Sequence, residues 1–152
     1  MNKNKLDFGI SPEKIAGKNV LLATTVWNKE LLLPARNEIK EKLESMSINI
    51  LELFCPGSLE LTASIKRFLN TNNVDGVIAL GLVIKGDTPH FKLVSQQTFH
   101  DLARLSNENF EIPLVNGVLT VDNRVQAEER IDPAKLNKGA EFALSLMHML
   151  SS

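Results

Sequence analysis

The stretch that decides the fold is Val77–Phe91, which reads Val-Ile-Ala-Leu-Gly-Leu-Val-Ile-Lys-Gly-Asp-Thr-Pro-His-Phe. It begins as a run of apolar, largely β-branched residues that is too short for a long helix. Such a run predicts a central strand of a parallel sheet, covered on both faces. The run breaks at Gly86, and Thr88-Pro89 is typical of a helix start, because threonine can cap free N–H groups and proline suits the first helical position.

This stretch therefore predicts a strand, a glycine turn and a helix N-terminus, which is a common binding place for an anion. His90 stands at the mouth of that site. The helix start disfavours the imidazolium and a bound phosphate favours it, so His90 could exchange a proton near neutral pH. The alternatives stay open: a lone histidine can be structural or merely exposed, and Gly86-Asp87-Thr88 can be an ordinary turn.

The rest of the chain alternates apolar runs with helical periodicities in the same way. Further strands are predicted over 19–26, 48–55 and within 112–120. Further helices are predicted from residue 29, after the turn at 56–58, from a cap at 122 or 123 through 130, and over 140–150. Pro34 would be tolerated only in the first turn of its helix. The order predicts a three-layer α/β fold, with a four-stranded parallel sheet and helices on both faces, in one domain over residues 1–152.

Residues 1–18 differ from the rest because they are polar and interrupted by Gly9, Pro12 and Gly17. We predict an N-terminal arm here, or an extra strand lent to a neighbouring chain. The sequence leaves both interpretations open.

The composition narrows the classes of function. The hydrophobic fraction of 43% and charged fraction of 23% are ordinary for a soluble globular protein. A formal net charge of −1 gives no reason to expect nucleic-acid or membrane partners. Cys55 is the single cysteine, which excludes an intramolecular disulfide and a thiolate metal cluster. With no signal-peptide pattern and no run of about 20 apolar residues, we expect a cytoplasmic protein.

Four segments should reach the carboxyl edge of the sheet, where parallel α/β folds bind ligands. These segments are 27–28, 55–60, 82–90 and 114–117. Together they supply an aromatic ring, a carboxylate, backbone amides, a histidine and an amide side chain, a set that suits a flat heterocycle and a phosphate. Motifs for a metal protease, a nucleophile elbow or a P-loop are absent from the sequence, and Cys55 reads as strand packing.

Three of the candidate residues have a structural alternative. Trp27 could cap the core at the end of a strand instead of stacking on a ligand. Glu60 lies in the first turn of a helix, where the dipole alone favours an acid. Arg130 is distant from the sheet edge along the chain, so it is either a solvated helix end or a residue that reaches into a neighbouring subunit.

A series of short motifs, taken in order and spacing, resembles a single family. The motifs are Trp27-Asn28, Pro56–Leu61, Ala79–Phe91, Asn116–Thr120, Gln126-Ala127 with Glu129-Arg130, and Asn137–Glu141. They resemble the 6,7-dimethyl-8-ribityllumazine synthases of riboflavin biosynthesis over about residues 20–150. The resemblance implies a flavodoxin-like fold and a transferase that needs no cofactor or metal. It would condense 5-amino-6-(D-ribitylamino)uracil with 3,4-dihydroxy-2-butanone 4-phosphate.

The resemblance also implies a role for each matching residue. His90 would move protons, and the other residues of the same chain would bind substrate. Trp27 would stack on the pyrimidine, with Asn28 beside it. Ser58, Leu59 and Glu60 would contact the ribityl side. Leu82, Val83 and Ile84 would contact the ring edge through their main chain. The butanone phosphate would be met by Gly86, Asp87 and Thr88.

A second group would come from an adjacent subunit: Asn116, Arg130 and Lys138, with Arg130 on the phosphate. The implied assembly is a homo-oligomer built from pentamers, with active sites between subunits. Leu59 stands where the family often has an aromatic residue, and Asn116 where many members have phenylalanine. Because 130–138 lacks the glycines of many shell-forming members, single pentamers, stacked pentamers and a capsid all remain open.

Three other functions compete with this one. An archaeal-type riboflavin synthase would have a similar architecture. A non-catalytic flavin- or lumazine-binding shell protein would keep the fold without turnover, and a phosphosugar-binding module is a more distant alternative. The pairing of His90 with Arg130 favours the enzyme.

Overall fold

The computed structural model describes residues 9–152, which form a parallel sheet between two layers of helices. The strands are β1 (Asn19–Thr25), β2 (Asn49–Cys55), β3 (Gly76–Ile84) and β4 (Leu114–Val121). The helices are α1 (Pro12–Ile15), α2 (Lys29–Ser45), α3 (Leu61–Thr71), α4 (His90–Glu108), α5 (Arg124–Ile131) and α6 (Lys138–Leu150), with a 3₁₀ turn at Ser58–Glu60. The predicted order of strands and helices and the α/β class are confirmed.

The strand order in the sheet is β2-β1-β3-β4, and all neighbours are parallel. The chain moves outward from β1 to β2 and then crosses back to β3 on the other side of β1. Because such crossovers are right-handed, the helices before and after β2 fall on opposite faces. Helices α2, α5 and α6 cover one face, and α3 and α4 cover the other. The carboxyl ends of β1 and β3 therefore flank the point where the strand order reverses.

Strand β3 is apolar at every position because both of its faces are buried. Ile78 and Leu80 pack into the core beneath α2 and α6, whereas Val77 and Ala79 pack into the core beneath α3 and α4. All four are fully buried. Full burial of one aliphatic side chain contributes about 1.5–3 kcal/mol, so this strand is the centre of both cores.

Helix α2 contains Pro34 in its second turn, and the expectation that this proline must lie in the first turn is wrong. The N–H that proline lacks would have bonded to the carbonyl of Glu30. Glu30 is exposed, so water can bond to that carbonyl instead. Leu32 and Ala35 on either side of Pro34 are fully buried, and their packing holds the helix together.

The described part of the predicted N-terminal arm packs against the domain. Ile15 of α1 is fully buried in the core, and the Ser11 N–H donates to Ser151 Oγ at 2.9 Å. Residues 9–18 therefore form a helical turn rather than an extended arm. Within residues 9–152 the sheet has four strands, and an additional strand formed by residues 1–8 would lie outside the described part of the chain.

Two glycines allow close approaches between elements. A Cβ atom on Gly117 would lie 2.8 Å from the Ala79 carbonyl oxygen, so only glycine allows β4 to approach β3 this closely here. A Cβ atom on Gly139 would lie 2.6 Å from the carbonyl oxygen of Ala35, because α6 crosses α2 in direct backbone contact. Asn137, just before Gly139, donates from Nδ2 to Glu38 Oε1 at 3.2 Å, which further ties the start of α6 to α2.

Candidate active site

A pocket of about 280 Å³ opens at the carboxyl ends of β1 and β3, where the strand order reverses. Its walls come from the end of β1, the 3₁₀ turn after β2, the end of β3 and the first turns of α4. The lining residues are Thr25, Trp27, Asn28, Ser58, Leu59, Glu60, Leu82, Val83, Ile84, His90 and Val94. The edge of the sheet predicted from the sequence thus carries a cavity bounded by most of the predicted site residues.

Trp27 stands at the rim of this pocket. Its side chain is 68% exposed, so the ring does not cap the core. The main chain around it is fixed, because the Trp27 N–H donates to the Pro56 carbonyl at 3.0 Å and Thr25 Oγ1 donates to the Trp27 carbonyl at 2.9 Å. A largely exposed indole on a fixed main chain is suited to stacking on a flat ring.

Asn28 joins the two strands that flank the pocket. Its backbone is left-handed (φ 64°, ψ 19°), a conformation that asparagine adopts more readily than most residues. In this conformation Nδ2 donates to the carbonyl oxygen of Leu82 at 2.9 Å. Asn28, which the family resemblance predicts to lie beside the pyrimidine, therefore holds the end of β1 against the end of β3.

The exposed edge of β3 forms one wall. Pairing with β1 ends at Thr24–Leu80, whereas pairing with β4 continues to Ile84–Val121. Val77 and Lys85 donate to carbonyl groups on the β4 side, and the Leu82 carbonyl points toward Asn28 on the β1 side. The main-chain N–H and C=O groups of successive residues in a strand point to opposite sides. Those of Leu82 and Ile84 therefore point toward the pocket, and those of Val83 point toward β4. Val83 lines the same pocket, and its expected contact with the ring stays a prediction.

The turn after β2 brings a carboxylate to the opposite wall. Glu60 Oε2 accepts a hydrogen bond from the Gly57 N–H at 3.1 Å, which fixes the side chain within the 3₁₀ turn. Ser58 is buried and Leu59 is half-exposed. A Cβ atom on Gly81 of β3 would lie 3.1 Å from Ser58 Oγ, so glycine at this position leaves room for the turn to pack against the strand.

Cys55 lies behind this turn as a neutral thiol. Burial, and then the negative charge of Glu60, raise the pKa of Cys55 to about 11. The nucleophilic thiolate is therefore scarce near neutral pH, which favours the interpretation of Cys55 as strand packing. Within residues 9–152, no three His, Cys, Asp or Glu side chains converge in a way that could hold a metal ion.

His90 is the first residue of α4, one position later than the sequence predicted for the helix start. Pro89 precedes the helix, and the His90 N–H lies 3.4 Å from Thr88 Oγ1, which is a long contact for a capping bond. His90 is exposed and lines the pocket. Gly86, Asp87 and Thr88 are exposed beside the rim and do not line it.

The remaining predicted residues lie away from this pocket. Asn116 lies on the edge strand β4, where it pairs with Ala79 of β3, and its Oδ1 accepts from the Val118 N–H at 2.9 Å. Arg130 donates from Nη1 to the Gln126 carbonyl of its own helix at 3.2 Å, and Lys138 pairs with Glu141 at 3.0 Å. None of the three lines the pocket, so a single chain does not bring the two predicted groups together.

Comparison with known proteins identifies one family. A family model described as 6,7-dimethyl-8-ribityllumazine synthase matches residues 17–152. The chain belongs to this family.

Three curated relatives carry the name 6,7-dimethyl-8-ribityllumazine synthase. The protein of Parabacteroides distasonis is 35% identical over 153 residues, covering 99% of this chain and 94% of the relative. That of Gemmatimonas aurantiaca is 33% identical over 137 residues, covering 88% and 83%. That of Leuconostoc mesenteroides is 34% identical over 137 residues, covering 88% and 87%. The similarity thus extends over nearly the whole domain of each.

Two residues of the pocket in this family member were not predicted as site residues. Thr25 is the last residue of β1 and lies within the strand predicted over 19–26. Val94 follows His90 by one helical turn, so its side chain shares the same helix face. The position of Thr25 at the end of a strand could have identified it, and the spacing of four residues from His90 could have identified Val94.

Proposed function

We propose that this chain is a 6,7-dimethyl-8-ribityllumazine synthase, a transferase of riboflavin biosynthesis. Its substrates would be 5-amino-6-(D-ribitylamino)uracil and 3,4-dihydroxy-2-butanone 4-phosphate. The observation that carries the proposal is the pocket at the strand-order reversal, which holds Trp27, Glu60 and His90 in a chain of this family. The composition of the chain is that of an ordinary globular protein, and we propose that the protein works in the cytoplasm.

The pocket of one chain suits the pyrimidine substrate. The exposed face of Trp27 offers a stacking surface, and the main-chain groups of Leu82 and Ile84 offer hydrogen bonds to the polar edge of a ring. The turn Ser58–Glu60 would follow the ribityl chain. Holding two reactants in a fixed orientation supplies much of the acceleration of a condensation, because it replaces an encounter in solution.

His90 would act as the general acid and base. In the proposed reaction the uracil amine adds to the ketone and forms an imine with loss of water. Phosphate is then eliminated, and the second amine closes the ring with loss of a second water. Each step moves a proton between nitrogen, carbon and oxygen. The position of His90 in the first turn of α4, where it lines the pocket, supports this role.

The phosphate half of the site would be completed by another subunit. We propose that Gly86, Asp87 and Thr88 meet the butanone phosphate, and that Asn116, Arg130 and Lys138 of a neighbour close the site. In support, the first group lies next to His90 on an exposed loop, and the second lies away from the pocket of its own chain. The arrangement would place each active site between two chains of a homopentamer.

The surface beside the pocket supports an assembly of this kind. Strand β4 is an edge strand, since β3 is its only partner in the sheet of residues 9–152. Helix α4 exposes 65% of Leu93 and 41% of Phe99. Apolar side chains near an open strand edge are typical of surfaces that other chains cover.

The test is a reaction of the purified chain with both substrates, followed by the absorbance of the lumazine. We expect product to form faster than in the uncatalysed mixture, and equal rates would overturn the proposal. Feeding the lumazine alone and finding riboflavin would favour the riboflavin synthase alternative. The particle mass in solution measures the assembly, and a monomer with full activity would contradict the shared site.

A further inference from the structure

Gly57 lies directly beneath the indole of Trp27. A Cβ atom built on Gly57 would lie 2.7 Å from Trp27 Cε3 and 3.0 Å from Cζ3. Contacts this short do not occur between real side chains, so any other residue at position 57 would displace the ring. The absence of a side chain on Gly57 thus allows the indole to lie against the turn.

The requirement at Gly57 is space and not backbone conformation. Its φ of −147° and ψ of −175° describe extended backbone, which every amino acid adopts. Alanine could therefore take the same main-chain path. A substitution at position 57 would therefore displace the Trp27 indole without straining the backbone, so its effect can be assigned to the side-chain contact.

The main chain on both sides of the contact is fixed. The Val26 N–H donates to the Cys55 carbonyl at 2.7 Å, and the Trp27 N–H donates to the Pro56 carbonyl at 3.0 Å. The two segments can separate only by breaking these bonds, whereas the Trp27 side chain is 68% exposed and free to rotate outward. A side chain at position 57 would therefore move the indole and leave the backbone in place.

Gly57 also contacts the carboxylate of the site. Its N–H donates to Glu60 Oε2 at 3.1 Å, and the Cβ of a substituted residue would lie 3.2 Å from the same oxygen. Glu60 is exposed and can shift by a few tenths of an ångström more easily than a fixed backbone could. The larger displacement would fall on Trp27, where the overlap is greater.

We infer that Gly57 is a positioning residue, which sets the tilt of the Trp27 indole and thereby the affinity for the flat pyrimidine substrate. This inference rests on the proposed function. Gly57 lies on the Trp27 and Glu60 side of the pocket, away from the loop with Gly86 and Thr88. Its influence should therefore fall on the ribitylaminouracil and not on the butanone phosphate.

The test uses Gly57→Ala in the full chain. Trp27 is the only tryptophan, so tryptophan emission reports on this ring alone. We expect a change in emission and in acrylamide quenching without any ligand. The KM for the ribitylaminouracil should rise on the order of tenfold, a typical effect of weakened base–aromatic stacking. The KM for the butanone phosphate and the urea midpoint should stay close to those of the wild type.

A double-mutant cycle with Trp27→Leu identifies the route of the effect. If Gly57 acts through the indole, Gly57→Ala in the Trp27→Leu background should change the KM for the ribitylaminouracil less than about twofold. An equal loss in both backgrounds would overturn the inference and assign the effect to Glu60 or to the turn. A wild-type-like emission and KM in Gly57→Ala would overturn it as well.

Failure of the inference can be told apart from failure of the proposed function. The emission of the ligand-free variant reports on the surroundings of Trp27 without any substrate or turnover. If the wild-type chain binds the ribitylaminouracil without forming lumazine, the proposed reaction is overturned. The role of Gly57 can then still be tested by comparing the affinities of the wild type and Gly57→Ala for the ribitylaminouracil. A wild-type chain that does not bind the ribitylaminouracil overturns both.

Discussion

The two turns that flank the pocket are built in opposite ways. The turn at 55–60 is packed and internally bonded: Cys55, Gly57 and Ser58 are buried, and Glu60 closes the turn on the Gly57 N–H. The loop at 85–89 is exposed throughout. Its hydrogen bonds lie at its two ends. The Lys85 N–H donates to the Val121 carbonyl at 2.9 Å, the Pro89 carbonyl accepts from the N–H groups of Lys92 and Leu93 in the first turn of α4, and Thr88 makes one long contact.

The packed turn and the exposed loop correspond to the two halves of the proposed site. The wall for the heterocycle is formed by one chain before any ligand binds, so little ordering cost remains for that substrate. The wall for the phosphate has few internal contacts, and Arg130 and Lys138 of the same chain do not line the pocket. In our proposal it gains its contacts from the ligand and from the neighbouring subunit.

The largest effect should come from His90, which joins the two halves. Replacing it in His90→Ala should lower turnover by about 10²-fold or more, because a general acid/base usually contributes that much. The measurement is steady-state formation of lumazine. His100→Ala is a matched control, since His100 is exposed on the same helix and does not line the pocket. Unchanged turnover in His90→Ala would make His90 a structural residue.

Arg130→Ala tests whether the phosphate wall is completed from elsewhere. We expect the apparent affinity for the butanone phosphate to fall by roughly 10- to 100-fold, the usual range for a lost hydrogen bond to a charged group, with little change for the pyrimidine. Arg124→Ala is the control on the same helix, where the arginine pairs with Glu128 at 2.9 Å. Equal losses for both substrates would argue against a phosphate role for Arg130.

Asn28 tests how far the heterocycle wall depends on its internal bonds. Asn28→Ala should lower the free energy of unfolding by about 2–3 kcal/mol, because alanine resists the left-handed backbone and the bond to the Leu82 carbonyl is lost. Asn28→Gly loses only the bond and should cost about 1 kcal/mol. Urea unfolding measures both, and identical values would show that the backbone conformation contributes nothing.

The smallest effect on stability is expected at Gly86. A Cβ atom there would meet nothing within 4 Å, and its backbone is not left-handed. Gly86→Ala should therefore change the free energy of unfolding by less than about 0.5 kcal/mol. Gly139→Ala is the contrasting variant, with an expected loss of about 1–3 kcal/mol from its overlap with Ala35. A large loss at Gly86 would contradict the open character of this loop.

Much of the fold could be predicted because burial leaves a local signal. The run from Val77 is apolar at every position since β3 is covered on both faces, and helix α2 shows its buried stripe at Leu32, Ala35 and Ile39. The candidate pocket followed from the same reasoning, because residues after strand ends meet at one edge of a parallel sheet. The family motifs then assigned roles to particular residues.

Other features depend on contacts that no local pattern encodes. Pro34 is tolerated in a second helical turn because its neighbours are buried and the freed carbonyl is exposed. The open edge of β3 beside the pocket depends on how far β3 extends beyond its pairing with β1. Ile15, in a polar segment, is buried because α1 docks beside α6.

The sequence by itself determined the order of strands and helices, the parallel sheet and the segments that reach its carboxyl edge, because each depends on the periodicity of residues close along the chain. Only the tertiary structure decided that Gly57 supports Trp27, that Asn28 binds the Leu82 carbonyl, and that Arg130 and Lys138 lie away from the pocket of their own chain. Those facts depend on strand register and packing between distant segments, which a linear pattern does not specify.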